Sequence, residues 1–323
     1  PGGRGGPAAR PPPAGTAPAA PAAPPGPAHP GGAPRPHPDG RPPGRALPGG
    51  GAVNRPGGAV HRAGGAGTHP AGGRARLTAR GLVRRYGGIE AVAGVDLSAP
   101  PGRITALIGP NGAGKSTLFD CLAGTARPDA GQVLLGGRDV TRLPAHTRVR
   151  LGMARTFQQI AVFPTLPVAD NVRIGAEQQR GRRPDPRAVD AATARALGLF
   201  GLQDVAAQPA GDQPTGVLRL VELARALAGD PRVLLLDEPA AGLDAAQTAR
   251  LVSVLRGLAD RGMALLLVEH DPDLVRELAD TVYVMAGGRV VARGPVSPVL
   301  GDARVARLWG EAAGADGERT ADN

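Results

Sequence analysis

The stretch RITALIGPNGAGKSTLF, residues 103–119, decides how this chain folds. An apolar run, RITALIG (103–109), leads into a segment rich in glycine, and a helical pattern follows. Glycines allow consecutive main-chain amides to turn inward around an anion, and the start of a helix adds a partial positive charge. A glycine-rich loop between a strand and a helix therefore predicts a phosphate-binding site in an α/β domain.

The segment GPNGAGKST (109–117) fits the phosphate-loop pattern in the context that the pattern requires. We expect Lys115 to reach the β- and γ-phosphates of a nucleotide, and the Ser116 hydroxyl to ligate Mg²⁺. Lys115 is the only lysine of the chain, and an arginine fork would change the geometry at this position. The residues predicted to hold ATP here are Gly109, Asn111, Gly112, Gly114, Lys115, Ser116 and Thr117.

Two further apolar runs, RVLLLDE (232–238) and MALLLVE (263–269), predict buried strands of a largely parallel sheet. Ligands of such sheets bind outside the carboxyl ends of the strands, so the polar residues there are functional candidates. Asp237 is predicted to hold Mg²⁺, and Glu238 to polarise a water. An acidic pair after a strand often only caps the next turn. The phosphate loop upstream favours the catalytic interpretation.

The remaining pattern predicts helices over 188–199 and 216–229 and a hairpin over 281–294 around Gly287 and Gly288. The stretch RGRRPDPR (180–187) is predicted to be an exposed linker. Cys121 follows the phosphate loop in an apolar stretch, where a buried packing role is expected. A single cysteine fits a reducing compartment, and the sequence offers no apolar run long enough to span a bilayer.

Residues 1–76 differ in composition from the rest of the chain. They contain 19 of the 35 prolines and no aromatic residue, so we expect them to be disordered. Nine arginines against one aspartate give them a net charge of +8 out of +10. The rest of the chain is nearly neutral, which argues against a nucleic-acid partner. A passive extension is favoured over a functional basic arm, and the four histidines there are irregularly spaced for metal binding.

Over residues 77–300 the chain resembles the ABC ATPase family, and most closely the ATP-binding subunits of branched-chain (hydrophobic) amino acid importers. The likeness rests on ARTFQQIAVFPTLPVADNV (154–172), DEPAAGL (237–243) and VEHDPDLVRELADTVYVMAGGRVVARG (268–294). The resemblance implies an α/β P-loop NTPase of ABC type, with a mostly parallel core sheet, an antiparallel β subdomain and a helical subdomain near 160–230. Residues 301–323 would then be a C-terminal extension.

The resemblance also implies roles for single residues. Tyr86 matches the aromatic residue that stacks on adenine, and Gln158, with Gln159 as the alternative, matches the glutamine that contacts Mg²⁺ and the attacking water. Asp244 matches the D-loop aspartate, for which a helix N-cap is the simpler role. His270 matches the switch histidine that contacts the γ-phosphate. Each would more often be structural if read alone, but their joint order along the chain makes coincidence implausible.

One motif departs from the family pattern. The family's signature LSGGQ falls on QPTGV (213–217) in this chain. Gly216 keeps the second glycine, whereas Pro214 replaces the serine expected to bind a γ-phosphate across a dimer. Proline offers neither a hydroxyl nor an amide hydrogen, and the hydroxyl of Thr215 could substitute. The motif therefore favours a heterodimer with an intact partner signature over a homodimer.

Taken together, the resemblance implies an ATPase subunit on the cytoplasmic face of a membrane. Its partners would be membrane permease subunits, a second ABC ATPase subunit and, indirectly, a solute-binding protein. One alternative is a soluble ABC-type ATPase acting on ribosomes or DNA. Such relatives generally carry two cassettes or a long coiled coil, and this chain has few aromatic residues for base stacking. A subunit that binds ATP without hydrolysing it is the other alternative.

Overall fold

The computed structural model describes Gly2 and residues 76–156, 158–179 and 185–308. The expectations for residues 1–75, apart from Gly2, for 180–184 and for 309–323 lie outside the described residues. The strands are β1 (Leu77–Tyr86), β2 (Ile89–Ala99), β3 (Ile104–Ile108), β4 (Ala130–Leu135), β5 (Arg138–Asp139), β6 (Met153–Arg155), β7 (Val233–Asp237), β8 (Ala264–Val268), β9 (Thr281–Ala286) and β10 (Arg289–Pro295). The helices include α1 (Lys115–Ala123), α2 (Ala145–Arg150), α3 (Val168–Gln179), α4 (Pro186–Phe200), α5 (Thr215–Ala228), α6 (Ala245–Asp260), α7 (Pro272–Leu278) and α8 (Val296–Leu300).

The strands form two sheets. Strands β2, β1, β4 and β5 lie in that order in an antiparallel sheet, and the other six lie in the order β10, β9, β3, β8, β7, β6. The second sheet is parallel except for β10, which pairs antiparallel with β9. This confirms the predicted fold class, a mostly parallel core sheet with an antiparallel sheet and helices.

Successive side chains of the central strands face opposite sides of the parallel sheet, and both sides are apolar. In β8, Leu265 and Leu267 pack into the cluster formed with α3 to α7, whereas Leu266 packs into the cluster formed with α1 and the antiparallel sheet. All five residues of β3, β7 and β8 are buried. Burial on both faces explains why these strands read as continuous apolar runs.

The predicted helices and hairpin are present with small shifts at their ends. Helix α4 begins two residues before the predicted start because Asp185 caps it and Pro186 occupies its first turn. Helix α5 buries Leu220, Leu223 and Leu227 against the core. The β9–β10 hairpin turns at Gly287 and Gly288, both with positive φ.

Helices α3, α4 and α5 pack on one another between residues 168 and 228. Their apolar residues continue the cluster on one face of the parallel sheet. Cys121 lies fully buried in α1, as expected, and burial raises the pKa of its thiol to about 11. Within the described ranges, every helix is too short or too polar to cross a bilayer.

Candidate active site

The loop between β3 and α1 places three glycines where other residues would clash or strain. Gly109 has φ 147°, and a Cβ added there would lie 2.0 Å from the carbonyl oxygen of Met285. Gly114 has φ 96°, and its added Cβ would lie 2.0 Å from the carbonyl oxygen of Ala91. Gly112 also has positive φ but faces open space. The loop therefore depends on close approach to β9 and β2 as well as on glycine's conformational freedom.

Lys115, the first residue of α1, is buried under this loop. Its Nζ donates hydrogen bonds to the carbonyl oxygens of Gly109 and Pro110, at 2.6 and 2.9 Å. Burial lowers the pKa of Lys115, and the charges of Glu238 and Asp237 oppose that shift. The lysine thus lies in the electric field of the predicted magnesium ligand Asp237 and of the predicted catalytic carboxylate Glu238, at the carboxyl ends of β3 and β7.

Asp237 is the last residue of β7, and its carboxylate is buried. Burial raises its pKa, and the guanidinium of Arg155, with Nη2 3.6 Å from Oδ2, acts in the opposite direction. Arg155 also donates to Asp120 of α1 at 2.6 Å. The main-chain amide of Asp237 donates to Thr156 Oγ1 at 3.2 Å. Burial disfavours the ionised form of a carboxylate, and a nearby cation favours it. A cation bound at Asp237 would therefore offset the effect of burial.

Glu238 follows Asp237 and has φ 48°, a conformation that non-glycine residues seldom adopt. Its Oε1 lies 2.9 Å from His270 Nε2. This hydrogen bond is the main reason that the pKa of Glu238 is lowered, followed by the charges of His270, Lys115 and Arg219, while burial acts against them. The Glu238 amide donates to the carbonyl oxygen of Val268 at 3.0 Å. The strained backbone thus holds an ionised carboxylate at the strand end.

Two functional candidates were not recognised from the sequence. Glu269 is buried and accepts hydrogen bonds from the amides of Ala240 and His270, both at 3.3 Å. Burial raises its pKa, and the Glu238 charge adds to that shift. It therefore braces the two loops that follow β7 and β8. Its only sequence signal was an acidic residue directly after an apolar strand.

Arg219 is the second missed residue. It lies in α5, is nearly fully buried, and pairs with Glu222 at 2.9 Å. Its Nη2 donates to the carbonyl oxygen of Gln158 at 2.9 Å. The Gln158 side chain itself is exposed. Nothing in the local pattern of LRLVELAR distinguishes Arg219 from a surface arginine.

The structure brings Lys115, Asp237, Glu238 and His270 together at one edge of the parallel sheet. Tyr86 lies at the end of β1, half exposed, with the Arg84 guanidinium 4.5 Å above its ring. Asp244 caps α6 in a capping box with Gln247, so its simpler predicted role is present. In the described part of the chain, no hydrogen bond or ion pair joins Tyr86 or Asp244 to that cluster.

The altered signature lies at the start of α5. Pro214 occupies the N-cap position without a side-chain hydrogen bond, and Thr215 is exposed. Gly216 is buried, and a Cβ added there would lie 2.5 Å from Gln247 Oε1 and 3.0 Å from the carbonyl oxygen of Gly242. The retained glycine is therefore required for the contact between this helix end and the loop before α6.

The chemistry of the predicted magnesium ligands fits the ion. Ser116 is exposed at the second position of α1 and offers a hydroxyl, Asp237 offers a carboxylate and Gln158 an amide oxygen. Oxygen ligands of this kind suit Mg²⁺, which often completes its shell with substrate phosphates and water. Among the described residues no cluster of three or more His, Cys, Asp or Glu side chains could hold a metal ion. A magnesium ion would therefore depend on the single carboxylate of Asp237 together with hydroxyl, amide and nucleotide oxygens.

A large cavity lies at the opposite edge of the sheet, next to the residues that precede β6, β7 and β8. Its volume is about 1020 Å³, and its rim includes four arginines, Arg150, Arg195, Arg232 and Arg261. Helices α2, α4, α5 and α6 end around it, and their carboxyl ends carry partial negative charge. The arginines offset this charge, so we assign no anion site to the cavity.

Comparison with known proteins places this site in one family. The model of the ABC transporter family matches residues 92–241. The high-affinity branched-chain amino acid transport ATP-binding protein LivG of Escherichia coli (strain K12) is 36% identical over 251 residues, 73% of this chain and 98% of LivG. The ribose import ATP-binding protein RbsA 2 of Streptomyces avermitilis is 37% identical over 247 residues, 75% of this chain and 49% of RbsA 2.

Solved structures agree with this assignment. A nucleotide-free ATP-binding cassette from an ABC transporter is 28% identical and covers 73% of this chain and 98% of its own, with a TM-score of 0.66. A cassette in its ADP conformation gives the same values. The chain therefore belongs to the ABC transporter family, as an ATP-binding subunit with the fold of the ABC ATPases.

Proposed function

We propose that this chain hydrolyses ATP to power the import of branched-chain or other hydrophobic amino acids. The observation that carries the catalytic part is the 2.9 Å contact between Glu238 and His270 at the edge that holds Lys115. This hydrogen bond keeps the Glu238 carboxylate ionised beside the phosphate loop. Hydrolysis would be an in-line attack of water on the γ-phosphorus that breaks its bond to the oxygen shared with the β-phosphate, so that ADP and phosphate leave, with the charge stabilised by Lys115.

The protein residues have separate tasks in this mechanism. Glu238 polarises the water, and the His270 imidazole holds that carboxylate and contacts the γ-phosphate. Glu269 fixes the His270 main chain. Ser116, Gln158 and Asp237 would hold Mg²⁺, which neutralises phosphate charge when bound. Tyr86 would stack on adenine, with its other face covered by Arg84.

The share of each relative's length that this chain covers supports an amino acid substrate. LivG is covered over 98% of its length, whereas RbsA 2 is covered over 49%. The resemblance to the amino acid importer subunits rests on the stretches 154–172, 237–243 and 268–294. Both relatives are named as transport or import proteins, so uptake is the proposed direction. A sugar substrate is the competing outcome.

The proposed assembly is peripheral to the cytoplasmic face of the membrane. It contains two permease subunits and a second ABC ATPase subunit, and a solute-binding protein delivers the substrate. A heterodimer is favoured because Pro214 removes a donor from the surface that faces the partner's nucleotide, while Thr215 remains exposed there. In such a dimer the site containing Lys115 and Glu238 would use the partner's signature.

Uptake by vesicles tests this proposal. The chain is co-expressed with candidate permease subunits and a second ABC ATPase subunit, and uptake of labelled leucine and labelled ribose is compared. ATP-dependent leucine uptake that disappears with Glu238→Gln is the expected result. Uptake of ribose without uptake of leucine would overturn the proposed amino acid substrate. ATP turnover unaffected by Glu238→Gln would overturn the catalytic assignment.

A further inference from the structure

We propose that Arg219 is a positioning residue that fixes the main chain of Gln158 and thereby aims its side chain. The inference rests on the proposed function, in which Gln158 contacts Mg²⁺ and the attacking water. Arg219 lies one turn into α5, the helix that begins at the altered signature. Its side chain points into the domain, where it is 5% exposed.

Among the described residues, the Arg219 guanidinium binds Glu222 and Gln158 at the same time. Nη1 donates to Glu222 Oε2 and Nη2 donates to the carbonyl oxygen of Gln158, both at 2.9 Å. A guanidinium is planar, so its two donors keep a fixed relation to each other. Glu222, on the same helix, fixes the orientation of the fork. The Gln158 carbonyl is therefore held at a set position relative to α5.

The Gln158 loop has few other anchors. Thr156 is tied to β7, because its amide donates to the carbonyl oxygen of Leu235 at 2.9 Å. The next anchor is Phe163, whose amide donates to Asn171 Oδ1 at 2.7 Å. Within the described part of the chain, the bond from Arg219 is the one hydrogen bond that the main chain of 158–162 makes. Small shifts of the loop would therefore move Gln158.

The burial of the Arg219–Glu222 ion pair also favours a positioning role for Arg219 over a stabilising one. Burying a charged pair such as Arg219 and Glu222 costs desolvation energy, and such pairs often add little net stability. The arginine nevertheless reaches across to another segment of the domain. Its charge also extends to the site, because it is one of the groups that lower the pKa of Glu238, after the hydrogen bond from His270.

Arg219→Lys tests the role, since lysine keeps the charge beside Glu222 but has no planar fork to span both partners. Arg148→Lys is the matched control. Arg148 is 1% exposed, and its partners within the described ranges are all main-chain carbonyls, including those of Cys121 and Leu122. Thermal melts of both variants measure the general cost of changing a buried arginine.

We expect Arg219→Lys to lower kcat by about 10- to 100-fold, the range for a displaced catalytic group. Calorimetry in a Glu238→Gln background measures ATP affinity with and without Mg²⁺. Arg219→Lys should reduce the increase in ATP affinity that Mg²⁺ causes, and it should leave the ATP affinity without Mg²⁺ unchanged. Arg148→Lys should lower the melting temperature without either effect. Combined with Gln158→Ala, Arg219→Lys should cause little further loss of turnover, because both act through one group.

Three outcomes overturn the inference. Normal turnover in Arg219→Lys, with turnover reduced in Gln158→Ala, overturns the positioning role alone. Multiplicative effects in the double variant show that Arg219 does not act through Gln158. Normal turnover in Gln158→Ala overturns the assignment of Gln158 and the positioning role with it, whereas the Glu238 assignment is judged by its own variant.

Discussion

His270 Nε2 lies 2.9 Å from Glu238 Oε1. Glu238 is the first residue after β7, and His270 is the second residue after β8. The contact links two loops that are 32 residues apart in the chain. Because it stabilises the ionised carboxylate, it lowers the pKa of Glu238. A water polarised by Glu238 would lie beside the phosphate loop, within reach of the charge on Lys115.

Lys115→Ala should weaken ATP binding by roughly 100-fold or more, because it removes the charge-assisted bonds to the β- and γ-phosphates. Isothermal titration with ATP measures the effect. Lys115→Arg is the control, which keeps the charge and should still bind poorly because the buried site fits a compact ammonium. Wild-type affinity in both variants, each folded by circular dichroism, would contradict the phosphate-loop assignment.

Gly114→Ala should destabilise the domain more than Gly112→Ala. Both glycines have positive φ, but only the Cβ at position 114 would meet main-chain atoms, at 2.0 Å from the Ala91 carbonyl oxygen. The conformational cost alone is about 1 kcal/mol, and the clash adds to it at Gly114. Urea unfolding compares the two variants. Equal losses of unfolding free energy would show that the contact between this loop and β2 is absent.

Glu269→Gln tests the raised pKa of Glu269. Its pKa is higher in the folded chain than its ordinary value, mainly because of burial. The folded state therefore binds this proton more tightly than the unfolded state does. The contribution of Glu269 to the free energy of unfolding is present at low pH, and it is lost as the pH rises above the ordinary pKa near 4.5.

Wild type should therefore lose stability relative to Glu269→Gln as the pH rises from about 4 to 7. Urea unfolding of both proteins across this range gives the difference at each pH. Measuring a difference is necessary because Asp237 and Glu238 titrate in both proteins, with pKa shifts of opposite sign. A difference that stays constant with pH would contradict the burial of an ionisable group at this position.

Cys121 should be unreactive in the folded protein. Burial raises the pKa of its thiol to about 11, so almost no thiolate is present at pH 8, and the side chain is fully covered. A chromogenic disulfide reagent should label it only as fast as the domain unfolds. The chain in urea, which reacts at once, is the reference. Stoichiometric labelling of the native protein within seconds would show that α1 opens readily.

Much of this fold could be predicted from the sequence. The buried strands β3, β7 and β8 were identified because they are apolar on both faces, and their polar ends lie together as expected for a parallel sheet. The glycine loop was recognised by its spacing. These features are local, since a strand and the turn after it are encoded by consecutive residues.

The contacts between distant segments could not be predicted in the same way. Arg219 reaches Gln158 across 61 positions, and Glu269 reaches Ala240 across 29. Neither contact has a periodicity or motif, because it depends on how α5 and the loops pack on the sheet. The close approach of Gly216 to Gln247 is of the same kind, and it gives that glycine a packing role that was not foreseen.

Single-turnover and steady-state ATP hydrolysis by Glu238→Gln, measured alongside its ATP affinity, show whether Glu238 polarises the attacking water. The amide keeps the shape of the site but cannot polarise water, so ATP should bind as in wild type while kcat falls by at least about 100-fold. Retained affinity with lost turnover is the predicted result. Hydrolysis at the wild-type rate by the folded variant would show that Glu238 takes no part in the chemistry.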